Sequence, residues 1–518
     1  MRASFGPPCF LLVAVAIAAP ARAQLTPSQT DALSKLQAAQ QSAACSATEA
    51  SSCSEAAGKL MRQILGDSPM VENLRRLTDE IGGRVSGSPE MSKAVQWGMA
   101  GFRAAGVDVH TEKYLLPVAW KEGATQLTMV SPATPTMQLH AVSEGMGPAT
   151  PAGGIEANVI DIGDGTDSEF AKGNILLVHS EIGATWPDLF NEYMRPPGII
   201  ARAVRGGAAA ILWTGARERL LLYRHTNSLL GEIDKIPQAV LAREDGLRLA
   251  RLVAANPGKV RVKLSMPNRV SGPIEQENVV GEIRGYEKPD EIVILGAHLD
   301  SWELGTGALD NGCNAALVIE AARAIQAMGQ VPKRTIRFIL FSGEEQGTVG
   351  SFAYVKSHAA ELDRTRAVII FDSGSGRVDG YSLAGRHDTE AGLAQILKPL
   401  ESWGVTQHTA DASFGTDNFD FMLEGVPTFV ANNEIANYLA NYHAASDTFD
   451  KVDQRELKLN TVLAALTAWG IADRGEPIGK RQSRAEIEMM AKETGLQQQM
   501  KLLGYWEQWQ NGTRGRKP

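Results

Sequence analysis

Three stretches of the chain run from continuous apolar residues into an abrupt polar end. They are Glu291–Asp300, Arg334–Glu345 and Ala367–Gly374. Such runs are typical of parallel strands that are buried on both faces. Because ligands gather beyond the carboxyl ends of strands in open α/β sheets, we expect the polar residues at these three ends to meet at one rim.

Other stretches of the chain show helical spacing or shorter strand patterns. A helical pattern begins at Met91 and leads into a strand candidate at Val107, which we expect to open the main α/β layer. Short strands near Asn174, Ala208 and Gly258 alternate with helices and Gly/Pro turns. This change of character predicts an inserted domain.

The two ends of the chain differ from its body. Residues 24–65 are rich in Ala, Gln and Ser with helical character, and the charged tail from Lys480 repeats apolar residues at helical spacing. We expect this tail to pack on the body or on a second subunit, so a homodimer is a hypothesis. The predicted division is a leader over 1–23, an N-terminal arm over 24–65, a main domain over 66–125 and 271–475, an insert over 126–270 and a helical extension over 476–518.

Composition narrows the classes of function. The 518 residues are 44% hydrophobic, which is enough for two or three domains. The formal net charge of −8 gives no support to nucleic-acid binding. After the N-terminus no apolar run is long enough to span a bilayer, so we expect no membrane span.

The N-terminus has the pattern of a secretory signal peptide. Arg2 precedes the apolar run Cys9–Ala19, and the small-x-small sequence Ala21-Arg22-Ala23 follows. The predicted location is therefore secreted or periplasmic. In such a compartment the neighbouring Cys45 and Cys53 are candidates for a disulfide, whereas Cys313 is expected to be a small buried side chain.

Five residues at or near the three polar ends and further along the chain are candidate metal ligands. They are His298, Asp310, Glu345, Asp372 and His443. Two imidazoles and three carboxylates suit Zn²⁺, with Mn²⁺ and Co²⁺ as competitors. Since a single catalytic zinc uses three protein ligands, the set predicts two ions with Asp310 as the bridging carboxylate.

The adjacent glutamates Glu344 and Glu345 are expected to have separate roles, because consecutive side chains point in different directions. We assign Glu345 to the metal and Glu344 to general-base catalysis on the attacking water. The alternative is that both open a helix and act on its dipole.

The strings Gly296–Asn314, Phe341–Ser351, Phe371–Gly374, Gly415–Pro427 and Tyr442–Thr448 resemble the M28 zinc exopeptidases, in particular the carboxypeptidase Q-like branch. A weaker match is Ile81–Glu90. The resemblance covers about residues 70 to 475. It implies a three-layer αβα fold with a mixed sheet, and the insert around Pro196–Trp213 resembles a protease-associated domain.

The same resemblance implies roles for individual residues. His298 and Asp372 would hold one zinc, Glu345 and His443 the other, and Asp310 would bridge them, with Glu344 as general base. Asp300 would orient the imidazole of His298. Two positions depart from the family pattern, because Asn418 follows Asp417 and the sequence after Asp310 is Asn-Gly-Cys-Asn; both put specificity in doubt.

The expected function is hydrolysis of small peptides or dipeptides by a di-zinc exopeptidase. The segment from Asn432 to Tyr442 is expected to choose the substrate terminus, with Tyr442 and Asp417 as candidate substrate contacts. An aminopeptidase is the main alternative. A non-catalytic binding module and a glutaminyl cyclase-like acyltransferase with one zinc are the alternatives from other classes.

Overall fold

The computed structural model describes residues 48–132, 135–166 and 172–517, with side chains from residue 52 onward. The predicted signal peptide and Cys45 lie outside the described residues. In the described part, no helix is both long enough and apolar enough to cross a membrane.

The strands, in chain order, are β1 Asp108–Leu116, β2 Ala119–Lys121, β3 Gln126–Ser131, β4 Met137–Leu139, β5 Ala141–Ser143, β6 Ile155–Asp161, β7 Ile175–Val178, β8 Ala210–Thr214, β9 Gln238–Leu241, β10 Arg261–Ser265, β11 Arg269–Ser271, β12 Ile274–Ile283, β13 Lys288–His298, β14 Arg334–Phe341, β15 Thr365–Ile370, β16 Val378–Ser382 and β17 Thr428–Asn433.

The α-helices are α1 Thr48–Leu65, α2 Met70–Arg75, α3 Pro89–Ala105, α4 Trp186–Met194, α5 Pro196–Gly206, α6 Arg243–Ala255, α7 Cys313–Ala327, α8 Val349–Ser357, α9 Glu390–Leu397, α10 Asn418–Leu423, α11 Tyr438–Asn441, α12 Gln454–Asp473, α13 Arg484–Glu493, α14 Leu496–Leu503 and α15 Tyr505–Gln510.

The main sheet has seven strands in the order β1-β12-β14-β13-β15-β17-β16. The inner strands β14, β13, β15 and β17 are parallel, and the outer pairs are antiparallel. Alternate residues of β13 face opposite layers: Ile292 and Ile294 pack in one cluster with Tyr354 of α8 and Phe421 of α10. On the other face α7 and α12 pack against each other and against β13. This arrangement confirms the three-layer αβα fold with a mixed sheet.

A second sheet of eight strands has the order β4-β3-β10-β6-β7-β8-β9-β5. All of its strands come from residues 126–265, within the predicted insert. Its core includes Leu177, Leu212 and Val262, which are fully buried. β2 precedes this segment and β11 follows it, and the two strands pair as an antiparallel ribbon. The chain therefore leaves the main sheet after β1 and returns to it at β12 through this ribbon.

The helical tail packs on the body of the same chain. Met490, Met500 and Trp509 are buried in one cluster with Phe419 of α10 and Leu229. Arg514 is also buried and pairs with Asp420, 2.6 Å from Nε to Oδ1. Apolar spacing in this tail is thus explained by packing on the body, while the predicted homodimer stays a prediction.

Candidate metal centre

Three adjacent parallel strands bring candidate ligands to one edge of the main sheet. His298 is the last residue of β13, and it lies beside Phe341, the last residue of β14. Glu345 follows β14, and Asp372 follows β15 on the other side of β13. The predicted rim at the carboxyl ends of the strands is therefore present.

The five candidate ligands form two groups that share Asp310. His298, Asp310 and Asp372 make one group, and Asp310, Glu345 and His443 make the other, with the ligand atoms of each group within 4.8 Å of one another. Asp310 Oδ1 is 3.1 Å from His298 Nε2, and Asp310 Oδ2 is 3.2 Å from His443 Nε2. Each oxygen of this carboxylate thus faces a different imidazole.

The two carboxylates at the ends of the groups have buried oxygens without hydrogen-bond partners, Asp372 Oδ1 and Glu345 Oε1. Asp372 Oδ1 lies 2.8 Å from His298 Nε2, yet the contact lacks hydrogen-bonding geometry. Buried polar atoms normally have hydrogen-bond partners. Ligand atoms that lie close together without hydrogen bonds between them are therefore consistent with a cation bound between them. The donors are imidazole nitrogen and carboxylate oxygen, the set that suits zinc.

The two imidazoles are held by backbone carbonyls. His298 Nδ1 is 3.0 Å from the carbonyl oxygen of Asp300, and His443 Nδ1 is 2.9 Å from that of Arg224. An Nδ1–H donated to a carbonyl leaves Nε2 as the free lone pair, directed at the carboxylates. The Asp300 carboxylate is 3.7 Å from His298 Nδ1 and accepts the backbone N–H of Glu344.

A buried carboxylate that the sequence reasoning missed holds the segment around Asp310. Asp447 Oδ1 accepts the backbone N–H groups of Ala308 and Leu309, at 3.1 and 2.7 Å, and Oδ2 accepts that of Asp310 at 3.1 Å. Burial raises the pKa of Asp447 to about 7, although the hydrogen bonds that its carboxylate accepts from the backbone of Leu309 and Asp310 act to lower it. Asp447 lies in the same Tyr442–Thr448 string as His443, which is the signal that could have identified it.

Arg84 supports the loop that follows His298. Its guanidinium is fully buried and donates to the carbonyls of Leu299, Thr306 and Gly307, the last two at 2.8 and 2.9 Å. The weaker sequence match at Ile81–Glu90 contains this arginine, but the pattern alone did not indicate which loop it would bind.

The charges of neighbouring side chains in the two groups alter one another's pKa values. Burial raises the pKa of Glu345 to about 7 and that of Glu344 well above its usual range. For His443, burial opposes protonation, but the carboxylates of Glu345 and Asp310 raise the pKa to about 10. A carboxylate-rich site of this kind has a strong affinity for positive charge.

A cavity of about 800 Å³ opens onto the two groups. Glu344 and Tyr442 line it, and α4 contributes Trp186, Phe190 and Tyr193 from the predicted insert. The hydroxyl oxygens of Tyr193 and Tyr442 are 2.6 Å apart, and Tyr442 stacks on His443 with ring centroids 3.7 Å apart. No sequence signal linked Tyr193 to this site.

Two other predicted residues lie away from the cavity surface. Asp417 is fully buried behind the wall that Thr416 and Asn418 form, and burial raises its pKa to about 8. Its contact with substrate stays a prediction. Cys313 is buried at the start of α7, as expected, with its thiol 3.4 Å from the carbonyl of Leu309. The Cys45–Cys53 pairing also stays a prediction.

Comparison with known proteins gives consistent results. Residues 278–468 match the family model "Peptidase family M28". The chain is 29% identical to carboxypeptidase Q of Mus musculus over 412 residues, which cover 78% of this chain and 86% of the relative.

Solved structures show the same fold. A peptidase M28 precursor from Shewanella amazonensis is 26% identical, with a TM-score of 0.74 over 84% of this chain and 99% of the other. A zinc aminopeptidase from Bacillus subtilis shares the fold at 19% identity, with a TM-score of 0.61 over 79% and 98%. The family match over residues 278–468, the similarity to carboxypeptidase Q and this structural likeness all relate the chain to the metallopeptidases of peptidase family M28.

Proposed function

We propose that the chain is a di-zinc exopeptidase that hydrolyses small peptides or dipeptides in the manner of its carboxypeptidase Q-like relatives. The observation that carries this proposal is the position of Asp310 between two imidazoles, one oxygen toward each. His298 and Asp372 would hold one zinc, Glu345 and His443 the other. Zinc supplies a Lewis acid that polarises a peptide carbonyl and makes water more acidic.

Glu344 is the general base in this proposal. It lies in the cavity wall beside Glu345, and its raised pKa suits a carboxylate that takes a proton from the attacking water and returns it to the leaving amine. Asp300 is a positioning residue, because it accepts the backbone N–H of Glu344 and lies beside the imidazole of His298.

The proposed domain arrangement has a signal peptide over 1–23 and a secreted or periplasmic enzyme. Residues 126–270 form a protease-associated insert between the two parts of the catalytic domain, 66–125 and 271–475. The separate eight-stranded sheet supports the insert. The arm over 24–65 and the extension over 476–518 complete the division.

A second candidate function is release of N-terminal residues. Among the described residues that line the large cavity there is no lysine or arginine, whereas Asp379 and Asp411 add negative charge beyond the metal groups. A carboxylate terminus would therefore meet no cation except the metal, and an ammonium terminus would be attracted. This lining favours an aminopeptidase, while similarity to carboxypeptidase Q favours the opposite polarity.

Hydrolysis of one dipeptide in its free, N-acetylated and C-amidated forms separates these functions. Cleavage of the free form that a chelator abolishes and zinc restores is the expected result. If only the acetylated form is still cleaved, the enzyme reads the carboxyl end; if only the amide is cleaved, it is an aminopeptidase. Loss of both indicates a dipeptidase that reads both ends.

The Glu344→Gln variant tests the general base. We expect kcat to fall by about 10²- to 10⁴-fold with zinc content unchanged, because the amide cannot accept the proton. The matched control is Glu476→Gln, an exposed glutamate outside the cavity. Wild-type hydrolysis by Glu344→Gln would overturn the assignment. Zinc binding without cleavage of any peptide would favour a binding module, and one zinc per active chain a glutaminyl cyclase-like enzyme.

A further inference from the structure

A second cavity of about 460 Å³ lies in the eight-stranded part of the molecule. Its walls come from α4, from Trp213 of β8 and from the segment that carries Tyr223 and His225. None of the five candidate metal ligands lines it. Met194 lines both this cavity and the large one, so the two spaces are neighbours separated by side chains.

The inner wall of this second cavity carries polar groups with unused hydrogen-bonding capacity. Glu144 is 1% exposed, and its Oε2 atom has no hydrogen-bond partner among the protein atoms. His225 is 5% exposed, and neither of its ring nitrogens has a protein partner. Buried polar atoms of this kind are costly unless something in the cavity bonds to them.

The lining is rich in acidic side chains, although burial raises the pKa of one of them, Glu144, well above its usual range. Glu144, Glu181, Asp188 and Glu192 face one guanidinium, that of Arg195, which is engaged with the carbonyl of His179. Glu192 already accepts from Tyr223 and Arg217, at 2.8 and 3.3 Å. No described lysine, arginine or histidine is within ion-pair distance of Glu144. A cation that enters the cavity would therefore meet an unpaired buried carboxyl group.

Aromatic rings complete the cavity. Trp213 and Tyr223 are nearly buried and line it together with the imidazole of His225. Ring faces attract organic cations, and the guanidinium of Arg217 already lies over the Tyr223 ring, 4.5 Å from its centroid. The indole N–H of Trp213 is bonded to Gln238, 2.9 Å away. Carboxylates beside aromatic faces are suited to an alkylammonium group, since one side of the ligand is charged and the other apolar.

We propose that this second cavity is a binding site for a small primary amine in its ammonium form, with Glu144 as its counter-ion and His225 as a hydrogen-bond partner. The volume falls within the range of small-molecule sites and admits a molecule the size of an amino acid. The inference depends on the second cavity alone and not on the proposed peptidase reaction.

Calorimetric titration of the metal-loaded enzyme with n-butylammonium chloride tests the proposal, with n-butanol as the uncharged probe of similar size. We expect saturable binding of butylammonium and at least about tenfold weaker binding of butanol. Equal affinity for the two probes, or no saturable binding of butylammonium, would overturn the proposal.

Two variants locate the binding. Glu144→Gln removes the counter-ion, and Asn191→Arg places a positive charge at an exposed lining position of α4, where folding does not depend on the side chain. Each should weaken butylammonium binding by about tenfold or more. Asp379→Asn is the matched control, since Asp379 lines only the large cavity. If Asp379→Asn alone weakens binding, or if neither Glu144→Gln nor Asn191→Arg does, the amine site is not in the second cavity.

Discussion

Asp447 gives the sharpest test of how the centre is built. Its two carboxylate oxygens accept three backbone N–H groups from the segment Ala308–Asp310. The substitution Asp447→Asn keeps the shape but leaves one acceptor oxygen, so at least one N–H loses its partner and faces the new amide hydrogens. We expect Asp310 to lose its fixed position between the two imidazoles.

The magnitude follows from these bonds. A hydrogen bond to a charged group contributes ~1.5–3 kcal/mol, and a buried donor without a partner costs ~1–3 kcal/mol. Because Asp447 is only 3% exposed, water cannot readily replace the lost acceptor. The free energy of unfolding should therefore fall by about 3 kcal/mol. Retention of zinc should weaken by about 10- to 100-fold, as for other groups that support a metal ligand.

The assay compares urea unfolding and zinc content after dialysis, with kcat/KM for a dipeptide as the third readout. It is performed at pH 8, because burial raises the pKa of Asp447 to about 7 and the carboxyl group must be ionised. The control is Asp450→Asn, an exposed aspartate whose partners are Thr448 and Lys451. If both variants unfold alike and retain the same zinc, Asp447 does not hold the Asp310 segment.

Three further outcomes are expected. Arg84→Met should lower the free energy of unfolding by about 3 kcal/mol, because three loop carbonyls lose a charged donor. Urea unfolding measures this loss, with Arg269→Met at an exposed strand position as the control. Burial lowers the pKa of His225 from 6.5 to about 4. Between these pH values the imidazole is protonated in the unfolded chain but not in the folded chain, so the free energy of unfolding falls as the pH drops from 6.5 to about 4. Between pH 7.5 and 4, the free energy of unfolding of His225→Gln, measured in urea, should fall by about 3 kcal/mol less than that of the wild type. Equal decreases in the two proteins would contradict the assignment. Chelation should abolish hydrolysis and lower Tm, since ligand binding to the folded state alone stabilises it, and a Tm unaffected by chelation would argue against metal in the centre.

The ligand-bearing elements could be predicted from sequence because each has a local signal. In β13, β14 and β15 a buried apolar run ends beside His298, Glu345 or Asp372, and the register of parallel strands brings such ends together. The same runs predicted an α/β sheet, whereas the three-layer αβα arrangement was what the family resemblance implied. Asp447 also had a local signal, but a Ser-Asp-Thr sequence is typical of a turn, and only the structure shows that its carboxylate is buried.

Contacts between distant segments had no such signal. The Tyr193–Tyr442 hydroxyl pair joins residues 249 positions apart, and the carbonyl of Arg224 contacts His443 across 219 positions. Both depend on how the eight-stranded sheet is placed against the main one. Hydrophobic periodicity describes which face of an element is buried, but it does not specify which other segment covers that face.

These long-range contacts show that residues 126–265 do more than cover the candidate metal ligands. The segment supplies the carbonyl that orients His443, and Arg224 is itself held by ion pairs to Glu122 and Glu303, at 2.6 and 2.8 Å. Glu122 lies before residue 126 and Glu303 lies in the loop after His298. One guanidinium therefore joins chain segments on both sides of residues 126–265 to the residue whose carbonyl contacts His443. A deletion that rejoined β2 and β11 would therefore remove the Nδ1 partner of His443 as well as the wall formed by α4. Residues 126–265 therefore contribute to the candidate metal centre itself, through the carbonyl of Arg224 and the side chains of α4.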